Sequence, residues 1–375
     1  MGRAILAQRT LPSVPQLGHL IRVPAVSNPK TRRCILSELV VILNQTRGAE
    51  ITSRSLREIG AKNLDCDFAY SGATVPEGEN PYAELLRFSW EHPEPSDWTE
   101  ELRSLFPQEV FHYFLDPEND SGLAGTPYEA GLWTSGLIQA VFRKRALDNI
   151  FELGLDKKYS WFFFVRSDFL FVHPIPEPTK LGPESLLMME GESHGAVNDR
   201  FLGIPGNLLP QAREMANTLF APSSETLVEM KEFFDKRPIR NPESLLLYSA
   251  REARVFDAVQ KVGQLGYCVR GPGEGTRGSA GTWSPRQQVF IKYVDELLLS
   301  KTGRLFGTVS RPRMLRSASL LLDYENPSFQ LRVISFLANK GFSALILLAI
   351  GEFAMALKAA TKVWQARAQK PPSPN

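Results

Sequence analysis

The stretch "WFFFVRSDFLFVHP", residues 161–174, constrains this chain more than any other. From Trp161 to Val172 only Arg166, Ser167 and Asp168 interrupt a run of aromatic, aliphatic and β-branched side chains, with no glycine or proline. Such continuity reads as a strand buried on both faces, which occurs where helices cover both sides of a sheet. An arginine and an aspartate two positions apart in that setting need partners or a ligand, because isolated charge is not stable in an apolar interior. The aromatic residues 161–164 themselves read as core rather than as a stacking platform.

The flanking segments supply a sheet for this strand to join. Leu39 to Leu43 is a second short apolar run rich in β-branched residues, read as a strand, followed by a polar loop, Asn44 to Glu50. A helix is expected next, with Thr52, Ser53 and Ser55 offered as caps in its first turn. "DCDFAYSGA" (65–73), "VFHYFL" (110–115) and "SLLMME" (185–190) read as further strands, with His112 a satisfied core histidine in the second of these. Helices are expected from Ser96 or Asp97, after a proline-broken stretch, and over 135–153. In the latter, Ile138, Val141, Phe142, Ile150 and Leu153 share a face, and Arg143, Lys144 and Arg145 form a solvated one. Strands alternating with helices predict an α/β chain built on a doubly wound, mostly parallel sheet.

At 375 residues, with 43% apolar and 22% charged residues, the chain is long enough for one large domain with appendages or for two domains. The formal net charge of +2 gives no global argument for nucleic acid, so none is expected as a partner. Cys34, Cys66 and Cys268 are widely spaced and odd in number, which fits reduced thiols in a reducing intracellular compartment rather than a disulfide framework or a zinc site. Residues 1–34 carry arginines and no acid before Glu38, as an organelle-targeting leader, a disordered basic leader or a misplaced start would. Residues 35–270 form the expected α/β domain. "RGPGEGTRGSAGTWSP" opens a Gly/Pro-rich loop at 271–290, but no GxxxxGK[ST] is present and no strand is read just before it. Residues 291–375 read as a helical C-terminal extension, in which Phe342 to Leu357 is nearly all apolar apart from Glu352. Burial, an interfacial position with peripheral membrane contact and a tilted anchor are all open to it.

In an open parallel sheet, ligands sit beyond the carboxyl ends of the strands. Three expected strands end in polar clusters: Asn44 to Gly48, Arg166-Ser167-Asp168, and "EGESHGAVNDR" from Glu190 to Arg200. A nucleotide diphosphate would want cations, for which Arg47 and Arg166 are placed, and a helix N-terminus. A divalent ion bridging its phosphates, Mg²⁺ or Mn²⁺, would want a hard oxygen ligand, for which Asp168 is placed. A second carboxylate beside the sugar would orient it or deprotonate an acceptor; Asp199 and Glu190 are the candidates.

The segments "LVVILNQTRGAEITSRSL", "FSWEHPEPSDW", "YSWFFFVRSDFLFVHP" and "GESHGAVNDRFLG" occur in an order that resembles a group of glycosyltransferase-like proteins with a GT-A type nucleotide-diphospho-sugar transferase domain. The resemblance covers roughly residues 35–220. It implies that Arg47-Gly48, Arg166 and the Asn198-Asp199-Arg200 triplet hold the donor, that Asp168 holds the metal, and that a saccharide or glycoconjugate accepts the sugar. One departure stands out: better-known GT-A enzymes carry Asp-x-Asp where this chain has Arg166-Ser167-Asp168. That weakens metal binding and leaves open a metal-independent or catalytically degenerate carbohydrate-binding or scaffold protein. Two other readings are carried: a nucleotidyltransferase, which would want a basic glycine-rich loop after the first strand, and a membrane-tethered interaction protein.

Overall fold

The computed structural model describes residues 38–44, 49–96, 98–115, 135–189, 197–236, 242–271, 282–284, 287–293, 296–297 and 300. The leader, Arg47-Gly48, Glu190, His194, most of the glycine-rich loop and the apolar tail lie outside them.

A seven-stranded sheet carries the fold. Its strands are β1 (Glu38–Leu43), β2 (Cys66–Ala73), β3 (Leu86–His92), β4 (Trp161–Arg166), β6 (Leu186–Met189), β7 (Phe201–Pro205) and β8 (Val259–Val262), in the order β3-β2-β1-β4-β7-β6-β8. β1 pairs in parallel with β2 and β4, β2 with β3 and β6 with β8, while β7 runs antiparallel to both of its neighbours. This is a mixed α/β fold with a mostly parallel central sheet, as the strand–helix alternation predicts. A second sheet, in the order β10-β11-β9-β5, uses β5 (Phe169–Phe171), β9 (Gly266–Arg270), β10 (Thr282–Ser284) and β11 (Val289–Ile291).

Alternation along β1 and β4 divides the core. Leu39, Val41, Leu43, Phe162 and Phe164 point to one face, where they pack with residues of α4 (Ser135–Glu152), α5 (Leu209–Asn217) and α7 (Pro242–Glu252). Val40, Ile42, Trp161, Phe163 and Val165 point to the other, against Leu56, Phe169, Phe171 and Cys268. Phe163 is fully buried and stacks on Trp161 at 5.8 Å and on Phe201 at 5.9 Å. Each such aromatic stabilises the fold by roughly 1.5–3 kcal/mol through burial alone. A third cluster joins α2 (Trp98–Leu105), α3 (Gln108–Leu115), α6 (Ser224–Asp235) and the first turns of α4.

Four sequence expectations are corrected here. Residues 110–115 are not a strand but the end of α3, because Phe106, Val110 and Phe111 recur at helical spacing and pack on the third cluster. His112 accordingly lies on the exposed face of that helix, within 3.3 Å of Gln108 Nε2, rather than in a core. The strand missed in its place is β3, an edge strand within "LLRFSWEH", whose half-buried mixture of polar and apolar residues masks its period. Finally, Thr52, Ser53 and Ser55 are not caps: they sit inside α1 (Ala49–Ser55), which runs on as a wider turn to Gly60. Ser55 Oγ donates to the Thr52 carbonyl and accepts from Phe171 N–H, so it ties this helix to β5.

Candidate active site

The chain enters the sheet at β1, builds outward through β2 and β3, then returns to the other side of β1 with β4. That reversal creates a crevice at the carboxyl ends of β1 and β4, the expected ligand position in an open α/β sheet. Leu43 and Arg166 are register partners there. Just beyond β1, Asn44 takes a left-handed φ of 79°, tolerated by asparagine, and its Oδ1 is buried with no hydrogen-bond partner among the described residues.

After Arg166 the apolar run leaves the main sheet. Ser167 and Asp168 make the turn, and Phe169 opens β5 in the second sheet. Two backbone bonds and one side-chain bond fix this turn: Ser167 N–H donates to Leu43 O, Val269 N–H to Asp168 O, and the Tyr82 hydroxyl to Ser167 O at 2.6 Å. The interruption of the hydrophobic run is thus the crossing from one sheet to the other.

The charges at the crossing form one network. Arg166 donates from Nε and Nη2 to the two oxygens of Asp168, each at 2.9 Å, and from Nη1 to Gln139 Oε1 at 3.3 Å. Arg270, at the end of β9, donates to the same Asp168 carboxylate. Asp199 Oδ2 lies 3.8 Å from Arg166 and its Oδ1 lies 3.4 Å from Arg200. The Asp199 carbonyl accepts from Gln139 Nε2 and Arg143 Nη2, one helical turn apart on α4. Arg200 is enclosed: its Nε is 2.6 Å from Glu296, its Nη1 3.7 Å from Glu243, and its guanidinium lies 4.7 Å from the Tyr293 ring. Asn198 Oδ1 accepts from Arg200 N–H, a local bond that shapes the turn into β7.

Burial would raise the Asp168 carboxyl, but Arg166 and Arg270 override it and hold the group well below the usual carboxylate range. Asp199 follows the same logic: burial opposes, and Arg166, Arg200 and Arg143 keep it ionised. Glu243 behaves oppositely, since burial and then the Asp199 charge push it up to about 7 against the pull of Arg200. Lys292 forms no ion pair with a carboxylate among the described residues, and its Nζ lies 4.8 Å from the Tyr293 ring. Burial first, then Arg166 and Arg270, lower it to about 8.

The sequence-predicted Arg166, Asp168, Asn198, Asp199 and Arg200 therefore meet at one place, while Arg47, Gly48 and Glu190 lie outside the described residues. Sequence reasoning missed Gln139, Arg143, Glu243, Arg270, Lys292 and Glu296. Arg143 was assigned to a solvated face; Lys144 and Arg145 do make surface-side pairs with Asp148 and Glu101, but Arg143 turns into the site. Arg270 carried a legible signal, since it ends a strand directly before the glycine-rich loop, where no strand was expected. β10 and β11, from the stretch read as loop and extension, complete the sheet that presents it.

The expected Mg²⁺ or Mn²⁺ at Asp168 does not fit these surroundings. Both Asp168 oxygens accept from guanidinium groups, and a dication there would also face Arg166, Arg270 and Lys292 at close quarters. Among the described residues no group of three or more His, Cys, Asp or Glu side chains is arranged to hold a metal ion. Among the same residues no helix is long and apolar enough to cross a membrane.

No family model matches the chain, and no curated protein does. Among solved structures it is similar to mouse xyloside xylosyltransferase 1 in its apo form, at 9% identity and a TM-score of 0.33, over 60% of this chain and 84% of that one.

Proposed function

We propose that this chain is a GT-A-like glycosyltransferase that moves a sugar from a nucleotide-sugar donor to a saccharide or glycoconjugate acceptor. The observation that carries this reading is the charge network at the switch point of the sheet. There, among the described residues, Arg143, Arg166, Arg200, Arg270 and Lys292 outnumber the carboxylates Asp168, Asp199, Glu243 and Glu296 by five to four. With Glu243 pushed up to about 7, part of the carboxylate charge is neutralised near neutrality. A site built this way favours a polyanion such as a diphosphate.

In the reaction, the bond from the anomeric carbon to the diphosphate oxygen breaks and its electron pair leaves with the diphosphate. The acceptor hydroxyl oxygen forms the new bond, and its proton passes to a carboxylate. Arg166 and Arg270, pre-aligned by Asp168, stabilise the charge that develops on the leaving group. Asp199, held ionised, is a weak base and suits the orientation of a sugar hydroxyl; Glu243, near neutrality, is the better matched proton acceptor. Asn198 and Arg200 position Asp199 from behind. Arg47 and Gly48, next along the chain from β1, would contact the donor, and Glu190 would lie at the sugar side.

The test is a thermal-shift screen of nucleotide sugars on the full chain, followed by release of nucleoside diphosphate from any donor that binds. A donor that raises Tm and is turned over, with turnover lost in Glu243→Gln, supports the transferase. A complete absence of shift and turnover across the donors removes it. The pairing of Asp168 and Asp199 with arginines favours one second reading, a degenerate protein that binds a donor without transfer. A shift without turnover would select it.

A further inference from the structure

The second sheet brings two cations to the crevice that the motif resemblance did not assign. Arg270 arrives at the end of β9, and Lys292 follows β11, which pairs with β9 through Ile291 and Val269. Strand register therefore fixes both beside the β4–β5 crossing. Arg270 shares the Asp168 carboxylate with Arg166, so Asp168 serves two guanidiniums and aligns them. Lys292 stands against these same two arginines with an aromatic ring as its other neighbour, and among the described residues it forms no ion pair with a carboxylate, although the Asp168 charge acts on it from a distance. Among the described residues these three cations meet two carboxylates, Asp168 and, 3.8 Å from Arg166, Asp199, which leaves a local surplus of positive charge.

We propose that the donor diphosphate is held without a divalent metal, by Lys292 and the Arg166–Arg270 pair acting in the metal's place. The inference rests on the transferase reading and names how its site handles the phosphates. Asp168 is then an alignment residue for two guanidiniums and not a metal ligand. Lys292 is a group whose environment changes on binding, because an anion supplies the close counter-charge that no ion pair among the described residues gives it. The planar forks of the arginines supply directional hydrogen bonds, and the ammonium supplies a point charge.

The experiment measures binding of uridine, guanosine, adenosine and cytidine diphosphates to the full chain by calorimetry, once in excess EDTA and once in millimolar Mn²⁺. The expected result is binding of at least one in EDTA, with no gain in affinity from Mn²⁺. Lys292→Met should weaken that binding roughly tenfold, the loss of one charge-assisted contact, while Lys292→Arg retains it. Lys292 makes no ion pair among the described residues, so its variants should fold, whereas Arg270→Met would break a buried pair. Binding that appears only with Mn²⁺ overturns the inference and leaves the transferase standing. Metal-free binding that Lys292→Met does not weaken overturns the role given to Lys292. Failure of every nucleoside diphosphate under both conditions overturns the transferase reading, and the inference with it.

Discussion

Replacing Asp168 by asparagine should destabilise this protein far more than any surface ion-pair change, because one carboxylate holds two arginines in the interior. The Asp168 side chain is 4% exposed and its partners Arg166 and Arg270 are 14% and 5% exposed. Asparagine keeps the shape but offers a neutral amide, leaving two guanidiniums facing each other out of water. Removing one member of a buried pair costs about 3–5 kcal/mol, against roughly 0–1 kcal/mol for an exposed pair. The residual exposure of Arg166 favours the lower end of that range. Urea unfolding followed by tryptophan fluorescence and far-UV circular dichroism reads the change, with Arg57→Ala, from an exposed pair with Glu58, as the control. The triple change Arg166→Met/Asp168→Leu/Arg270→Met removes both Asp168 pairs together, leaves Asp199 paired with Arg200, and should cost less than Asp168→Asn alone. Acid titration adds a sign test. The folded-state carboxyl is depressed, so its stabilisation is complete above the unfolded value of about 4 and is lost as pH falls below it. The gap between wild type and Asp168→Asn should be flat at neutral pH and narrow in acid. A cost below about 1 kcal/mol, or a gap that widens in acid, would refute the reasoning.

Lys292 titrates near 8 in the fold, so anion binding should weaken as pH rises through that value, and Lys292→Arg should remove the fall. Because its folded value is lowered, the unfolded chain binds more protons between about pH 8 and 10, and in that window this group makes stability rise with pH, as pH-resolved urea midpoints would report. Gly266→Ala should destabilise by about 1–3 kcal/mol or more, since a Cβ there would lie 2.0 Å from Leu170 O where β9 meets β5; calorimetric Tm checks it. Ser223→Ala removes the side chain that accepts from Thr226 N–H at the start of α6 and should cost about 1 kcal/mol in the same assay.

The sequence carried the parts of this fold that repeat on a short period. Continuous apolar runs marked β1, β4 and β6, because strands covered on both faces have no polar phase to confuse. The length of α4 was legible for a related reason, with buried Val141, Phe142 and Ile150 recurring at helical spacing. "VFHYFL" failed because five apolar residues around one histidine suit a strand or a helix equally, and only packing against Leu102, Phe106 and Leu137 selects the helix. β3, at the edge of the sheet, needed only one paired side and so had no strict pattern to read.

The site divides along the same line. Arg166 and Asp168 were visible because charge inside an apolar run is conspicuous, and Asp199 because it closes a polar cluster beside a strand. Their partners were not visible. Arg270 lies 102 residues beyond Asp168 along the chain, and Arg143 and Lys292 look like ordinary surface cations until helix and strand placement turns them inward. Sequence by itself determined that Arg166 and Asp168 must leave water, because the apolar run that holds them is a local pattern. Only the tertiary structure decided what neutralises that charge, because Coulomb interaction depends on distance in space and not along the chain, and that distance turns the expected metal ligand into the anchor of two arginines.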